Sequence, residues 1–230
     1  MKISVIIPAL NEEKNIARTL DNIFSSNYPD FEVIVSDNGS VDKTSEIAAS
    51  KGAKVVVEKR KGTMWACEAG RKIANGEIIV RLDADCLPKS DWLSRGAKHF
   101  ANKKVVLVSG PYDYFDGTKG FRYFTLGLEK YIYAPVNAIL SAMHVGGITL
   151  GGNTFIRTAA LSAIGGFNTS ITFYGDDTDL PKRLSSKGKI IFDGSLVLKT
   201  SARRFKNEGT IKIGATYIFH FFRVLFSSRN

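Results

Sequence analysis

The sequence predicts an α/β fold, a mostly parallel central sheet with helices on both faces. Short β-branched runs alternate with segments of helical period through the first 110 residues. Gly, Asn and Asp mark the switches between them. Polar clusters follow three of the runs at their carboxyl ends, where ligands sit in open sheets of this kind. Strand–helix–strand crossovers are right-handed and make the strands parallel, so both faces of the sheet are covered.

Each element has a local reason. Ile3–Ile7 is a first strand, and the apolar stretch around it is too short for a signal sequence. Asn11 is placed to cap a helix that carries Ile16, Leu20, Ile23 and Phe24 on one face. Phe31–Ser36 is a strand, closed by the turn Asp37-Asn38-Gly39-Ser40. A short helix over residues 42–51 stops at Gly52. Lys54–Val57 is a strand, Thr63–Ala74 a helix, and Glu77–Asp83 a strand entered through Asn75-Gly76. Val105–Ser109 is a further strand.

The pattern then changes. Residues 111–150 are rich in Tyr and Phe without a clean period, and read as a long cover segment. "YGDDTDLPKRLSSKGKIIFD" reads as turn, helix and strand, with Gly188 as the helix stop. No low-complexity linker or repeat interrupts the chain. One continuous unit over residues 1–210 is expected, with halves 1–110 and 111–210. An amphipathic helix over 211–230 follows. That tail is interrupted by Lys212, His220 and Arg223, and falls short of the ~20 apolar residues a spanning helix needs. It either packs on the core or lies in a membrane interface, with Arg223 and Arg229 toward anionic headgroups.

Composition narrows the class. With 44% hydrophobic and 23% charged residues the chain is an ordinary globular one. Its formal net charge of +10 calls for an anionic partner. The basic residues are dispersed rather than striped, which disfavours nucleic acid. Cys67 and Cys86 have no metal spacing and read as buried free thiols, so a cytoplasmic location is expected. His99, His144 and His220 form no ligand set. There is no Gly-x-Gly-x-x-Gly after the first strand and no Gly-Lys-Ser/Thr, which disfavours dinucleotide oxidoreductases and P-loop hydrolases.

Five clusters carry the chemistry. Pro8 to Asn11, Asp37-Asn38, and Asp83 with Asp85 lie at strand ends and converge on one crevice. Asp83 and Asp85 are two apart on extended chain and point the same way, which a cation between them or full solvation makes tolerable. In "GDDTDL" three acids open a helix. Capping explains one of them; a general base in a cleft explains another. Arg60-Lys61-Gly62 precedes a helix, as a phosphate-binding turn or a solvated loop does.

Taken in order, "VIIPALNEEKNI", "VIVSDNGSVDKT", "KRKGTMWACEAGRKIANGEIIVRLDADCLP", "GGNTFIRTAALSAIGGF" and "GDDTDLPKRLSSKGKIIF" resemble the motifs of family-two glycosyltransferases. The likeness runs from residue 3 to about 205. It implies the A-type nucleotide-sugar fold, a nucleoside-diphosphate sugar donor, a magnesium or manganese ion, and inverting transfer to an acceptor hydroxyl. It implies Asp85 as metal ligand, with Asp83 on metal or ribose. Asp177 is implied as base, with Asp176 beside it. Pro8, Ala9, Asn11, Glu12, Asp37, Asn38 and Lys61 would line the nucleotide-sugar site, and Arg203 and Arg204 of "TSARRF" would clamp the diphosphate. Leu10 and Asn38 depart from an aromatic and an acid common in the family, which leaves uridine and guanosine donors both open. A lipid-linked or polysaccharide-precursor acceptor, with membrane contact at the cytoplasmic face, suits the aromatic 111–150 segment and the tail. A sugar-phosphate nucleotidyltransferase would carry a glycine-rich basic signature where Pro8-Ala9-Leu10-Asn11 stands. A non-catalytic module would have no need of Asp83, Asp85 and Asp177 together.

Overall fold

A computed structural model of the chain describes residues 1–171 and 174–226. Arg229, part of the membrane reading of the tail, lies outside the described residues. The strands are β1 (Ile3–Ala9), β2 (Phe31–Asp37), β3 (Lys54–Val57), β4 (Ile78–Leu82), β5 (Val105–Ser109), β6 (Tyr112–Tyr114), β7 (Asn153–Arg157), β8 (Lys189–Phe192) and β9 (Leu198–Thr200). The helices are α1 (Ile16–Phe24), α2 (Thr44–Ser50), α3 (Thr63–Ile73), α4 (Trp92–Ala97), α5 (Lys119–Leu128), α6 (Ala134–Ala142), α7 (Thr158–Ala163), α8 (Asp176–Leu184), α9 (Arg203–Glu208) and α10 (Thr210–Phe226).

The main sheet has the order β3-β2-β1-β4-β7-β5-β8, and β6 pairs with β9 in a small second sheet. β1, β2, β3 and β4 are mutually parallel, as the crossovers require. β7 runs antiparallel between β4 and β5, so the sheet is mixed but mostly parallel. Alternate residues of β1 serve opposite faces. Ile3, Val5 and Ile7 meet Ile16, Leu20 and Ile23 of α1 on one side. Ile6 meets Met64 and Cys67 of α3, together with Leu161, Leu180 and Leu184, on the other. Both cysteines are buried and free.

Two sequence expectations need correcting at element level. Asn11 does not cap α1; the N-cap is Asn15, and Asn11 sits in the left-handed region at φ +55°. Its backbone N–H donates to Ser40 Oγ (2.9 Å) and its Oδ1 accepts from the Val41 N–H (2.9 Å), so it ties two loops together. The aromatic segment, in which the sequence shows no clean period, is helical over residues 119–142. α5 continues through a π-helical turn, Glu129–Tyr133, into α6. Pro135 has no N–H to offer the carbonyl of Tyr131, so the α-helical ladder cannot run unbroken there. No helix among the described residues is long and apolar enough to cross a membrane.

Candidate active site

The floor of the site is the carboxyl end of β1 and β2. Pro8 and Ala9 lie in register with Ser36 and Asp37. Asp37 accepts from the Ser40 N–H (2.7 Å) and from the Ser45 hydroxyl, which holds the turn after β2 closed. The Asn38 side chain is bonded at both ends. Its carbonyl accepts from the Gly62 N–H (2.8 Å), and its amide donates to the carbonyls of Glu58 (3.0 Å) and Arg60 (2.7 Å). Asn38 therefore braces the loop ahead of α3, where Lys61 stands exposed. Arg60 is fixed on that loop by paired bonds to Glu58 and lies 3.7 Å over the Trp65 ring.

At the end of β4 the two acids take different surroundings. Asp85 is buried, accepts from Thr200 Oγ1 (3.3 Å), and pairs with Arg203 Nε at 3.1 Å. The same guanidinium is forked onto Glu12, with Nη1 3.0 Å from Oε2 and Nη2 on Oε1. Glu12 is itself held by the Thr44 hydroxyl at its N–H (2.8 Å) and by Asn15 Nδ2 (2.8 Å). Burial pushes the Asp85 carboxyl up to about 6, and the charge of Asp83 adds to that while Arg203 opposes it. Asp83 is also raised, by burial first, with Arg81 opposing. It lies against the backbone of Gly152, where a Cβ would fall 2.4 Å from its Cγ and 2.8 Å from the Tyr112 hydroxyl. Only glycine lets the strand entering β7 come this near.

The third component enters with α8. Its N-cap is Gly175 in the left-handed region (φ +103°), so none of the three acids is the cap and all occupy the first turn. Each then has a distinct neighbourhood. Asp179 faces Asn168 Nδ2 (3.2 Å) and Arg183 (3.5 Å). Asp176 makes an ion pair with the buried Arg81 of β4. Asp177 receives the Gly151 N–H, while its Oδ1 is sequestered without a hydrogen-bond partner. Burial, then the charge of Asp176, holds the Asp177 carboxyl well above the usual carboxylate range. A raised pKa with one uncommitted oxygen is the condition of a group ready to take a proton.

The structure thus brings Glu12, Asp83, Asp85 and Arg203 together, with Asp176 and Asp177 close enough to perturb Asp83 and one another. It does not bring Arg204 to them. Arg204 turns the other way, donating to the Tyr217 hydroxyl (2.9 Å) and lying 4.6 Å over the Tyr174 ring. Sequence reasoning missed Arg81. The signal was there: an arginine inside an otherwise apolar strand, two residues before an acid. Its partner lies 95 residues away, and only the fold joins them. Thr200 and the Gly151-Gly152 pair were missed for the same reason.

A divalent cation fits this donor set. Two hard carboxylates with raised pKa values share a buried corner that already draws in a guanidinium. Among the described residues no group of three or more His, Cys, Asp or Glu is arranged around one point. Asp85 and Asp83 would therefore hold the ion with only part of its shell, and oxygens of the ligand and water would complete it.

Comparison with known proteins agrees with this geometry. The sequence profile of Glycosyl transferase family 2 matches residues 4–165. Glycosyltransferase AglE of Haloferax volcanii is 31% identical over 197 residues, covering 81% of this chain and 62% of its own length. Beta-monoglucosyldiacylglycerol synthase of a Nostoc species is 30% identical over 195 residues, 79% of this chain and 41% of its own. The chain thus spans less than two thirds of these curated relatives. Mannosyltransferase PcManGT of Pyrobaculum calidifontis, solved with GDP-Man and Mn2+, superposes with a TM-score of 0.75 at 24% identity, over 99% of this chain and 65% of that one. Glucosyl-3-phosphoglycerate synthase of Mycobacterium tuberculosis, solved with Mn2+, UDP and glucosyl-3-phosphoglycerate, gives 0.65 at 23% identity, over 100% and 81%. The strand order, the acids at the end of β4 and the profile match lead to one conclusion: the chain belongs to glycosyl transferase family 2.

Proposed function

We propose that the protein transfers a sugar from a nucleoside-diphosphate sugar to an acceptor hydroxyl with inversion, using a bound magnesium or manganese ion. The observation that carries the reading is the contrast between two neighbouring carboxylates. Asp176 is neutralised by Arg81, whereas Asp177 has a raised pKa and an oxygen with no partner. Asp177 takes the proton from the acceptor hydroxyl. The oxygen so freed forms a bond to the anomeric carbon while the bond from that carbon to the diphosphate breaks. The electron pair leaves with the nucleoside diphosphate on the opposite face, which inverts the centre. Asp85 and Asp83 would hold the cation, which when bound neutralises charge on the leaving diphosphate. Arg203 sits beside Asp85 and adds a second positive group there. Glu12 and Asn15 orient that arginine. Pro8, Ala9, Asn11 and Asp37 shape the floor under the nucleoside, and Lys61 stands at its rim. The relatives solved with GDP-Man and with UDP support a nucleotide donor of either base. A lipid-linked acceptor reached from the cytoplasmic face is the acceptor class we favour.

A thermal-shift panel of UDP and GDP, each with and without Mn2+, tests this reading, because a ligand that binds only the folded state raises its melting temperature. One nucleotide should stabilise the protein in a Mn2+-dependent way, and Asp85→Ala should remove that dependence. Asp177→Asn should keep the stabilisation while turnover falls about 10²–10⁴-fold. If Asp177→Asn lost nucleotide binding and turnover together, Asp177 would be a structural residue. If no nucleotide gave a shift, the donor class would be wrong.

A further inference from the structure

The helix running from α5 through the π-turn to the end of α6 is largely inside out. Phe121 and Tyr133 turn inward onto Phe205 and Phe192, but its most deeply buried positions are polar. Glu129 is buried and accepts from the Tyr112 N–H (2.7 Å). Asn137 is buried, accepting from the Ile148 N–H (2.8 Å) and donating to the Ile190 carbonyl (3.1 Å). Ser141 is buried and accepts from the Ile190 N–H (3.0 Å). The outward positions are large and apolar: Phe124 is 70% exposed, Tyr131 68% and Met143 63%, with Tyr123, Ile132 and Ile139 on the same exposed side. Helices of water-soluble domains show the opposite arrangement. A contiguous apolar surface of this length marks a docking face.

Charge decides what covers it. Glu129 is the one acid between Lys119 and Met143, and it is turned inward. Lys119 and Lys130 are exposed beside the aromatic residues, and the chain carries +10 overall. Aromatic and aliphatic side chains with flanking lysines and no exposed acid suit an anionic lipid surface, where the rings enter the headgroup–acyl boundary and the lysines meet phosphates. A second copy docked on the same face by a two-fold axis would bring lysine toward lysine. The place in the fold is suitable as well. A cavity of about 140 Å³, lined by Thr118 and Phe121 at the start of α5 and by Ala202, Phe205, Lys206 and Thr210 around α9, joins this helix to the start of α10. α10 likewise lacks acids and exposes Phe219 and Phe222. On its inner side the helix backs onto Tyr112, whose hydroxyl closes on Gly152 and Asp83. One helix diameter, about 10 Å, separates the outer face from the wall of the site.

We propose that this 119–143 helix is the seat of the protein on an anionic membrane surface, lying in the interface with its long axis parallel to the bilayer. The proposal concerns where the protein sits and stands independently of the reaction assigned above. Co-sedimentation of the full chain with vesicles of phosphatidylglycerol and phosphatidylcholine, against phosphatidylcholine alone, tests it. Binding to the anionic vesicles is expected, weakening as salt is added. The triple variant Phe124→Ser/Tyr131→Ser/Ile132→Ser alters exposed positions only, so it should melt like the parent and partition into vesicles about tenfold or more weakly. A single change, Tyr131→Trp, supplies an independent readout, since its emission should shift to the blue with anionic vesicles and not with neutral ones. The proposal is overturned if the full chain does not bind anionic vesicles, or if the triple variant binds as well as the parent. It is equally overturned if light scattering shows a dimer that the triple variant abolishes, because the face is then covered by a second copy.

Discussion

Arg203 occupies a position between Glu12 and Asp85 where a cation is needed with or without metal. Two acids with raised pKa values, Asp83 and Asp85, would otherwise face each other across a buried corner. Arg203→Ala should therefore lower the melting temperature in metal-free buffer at pH 8, above the value near 6 to which burial pushes Asp85. Mn2+ should then stabilise the variant more than it stabilises the parent, because the ion takes over charge that the guanidinium supplied. Equal shifts in the two proteins, read by differential scanning fluorimetry, would mean that metal and guanidinium answer to different acids. The acids of this corner were legible as a pair closing an apolar run, but β4 ends at Leu82, and a turn from Asp83 to Cys86, not a strand's period of two, sets them near each other. Arg81 was not legible, because the ion pair that explains it joins β4 to a helix far along the chain.

At the level of elements, β1 to β4 and the helices between them could be read from sequence. Their apolar residues point inward with a regular period and glycines or asparagines mark the ends. The 119–142 helix could not. Most of its large apolar residues face outward, its most buried residues are polar, and the π-turn at Glu129–Tyr133 shifts the phase midway. The Glu129 carboxyl makes the cost of that inversion measurable. Burial pushes it up to about 8 against an ordinary value of 4.5, partly offset by the Tyr112 N–H. The folded chain therefore holds a proton that the unfolded chain releases between those two values. Stability therefore falls as pH rises through that window and levels off above pH 8. Glu129→Gln keeps an acceptor for Tyr112 and cannot ionise. It should flatten the pH dependence and add on the order of 4 kcal/mol at pH 8, with little change at pH 5. Melting curves across this range check it, and parallel pH slopes for parent and variant would show that Glu129 is not the titrating group.

At the scale of the whole molecule, α10 is part of the packed structure as well as a bearer of exposed aromatic residues. Ile213 is fully buried, Tyr217 packs edge-on to Tyr174 at 5.7 Å, and Lys182 of α8 donates to the Val224 carbonyl (2.7 Å). Val224 also lies within 3.1 Å of where a Cβ on Gly175 would be, at the N-cap of the helix that carries Asp176 and Asp177. Deleting residues 211–230 should lower the melting temperature markedly, since it uncovers α8 and strips Arg204 of its Tyr217 partner. An unchanged melting temperature would make α10 a mere appendage to the core.

The bond between Arg203 and Glu12 also has a consequence in time. Its two ends are 191 residues apart. At the usual 5–20 residues per second a ribosome needs roughly 10–40 s to travel between them. Over the last 118 residues of that interval, from Asp85 to Arg203, the nascent chain carries its cluster of acids without the arginine that quiets them. The crevice thus has its acids on the chain early and receives its finished electrostatics later, when α9 emerges.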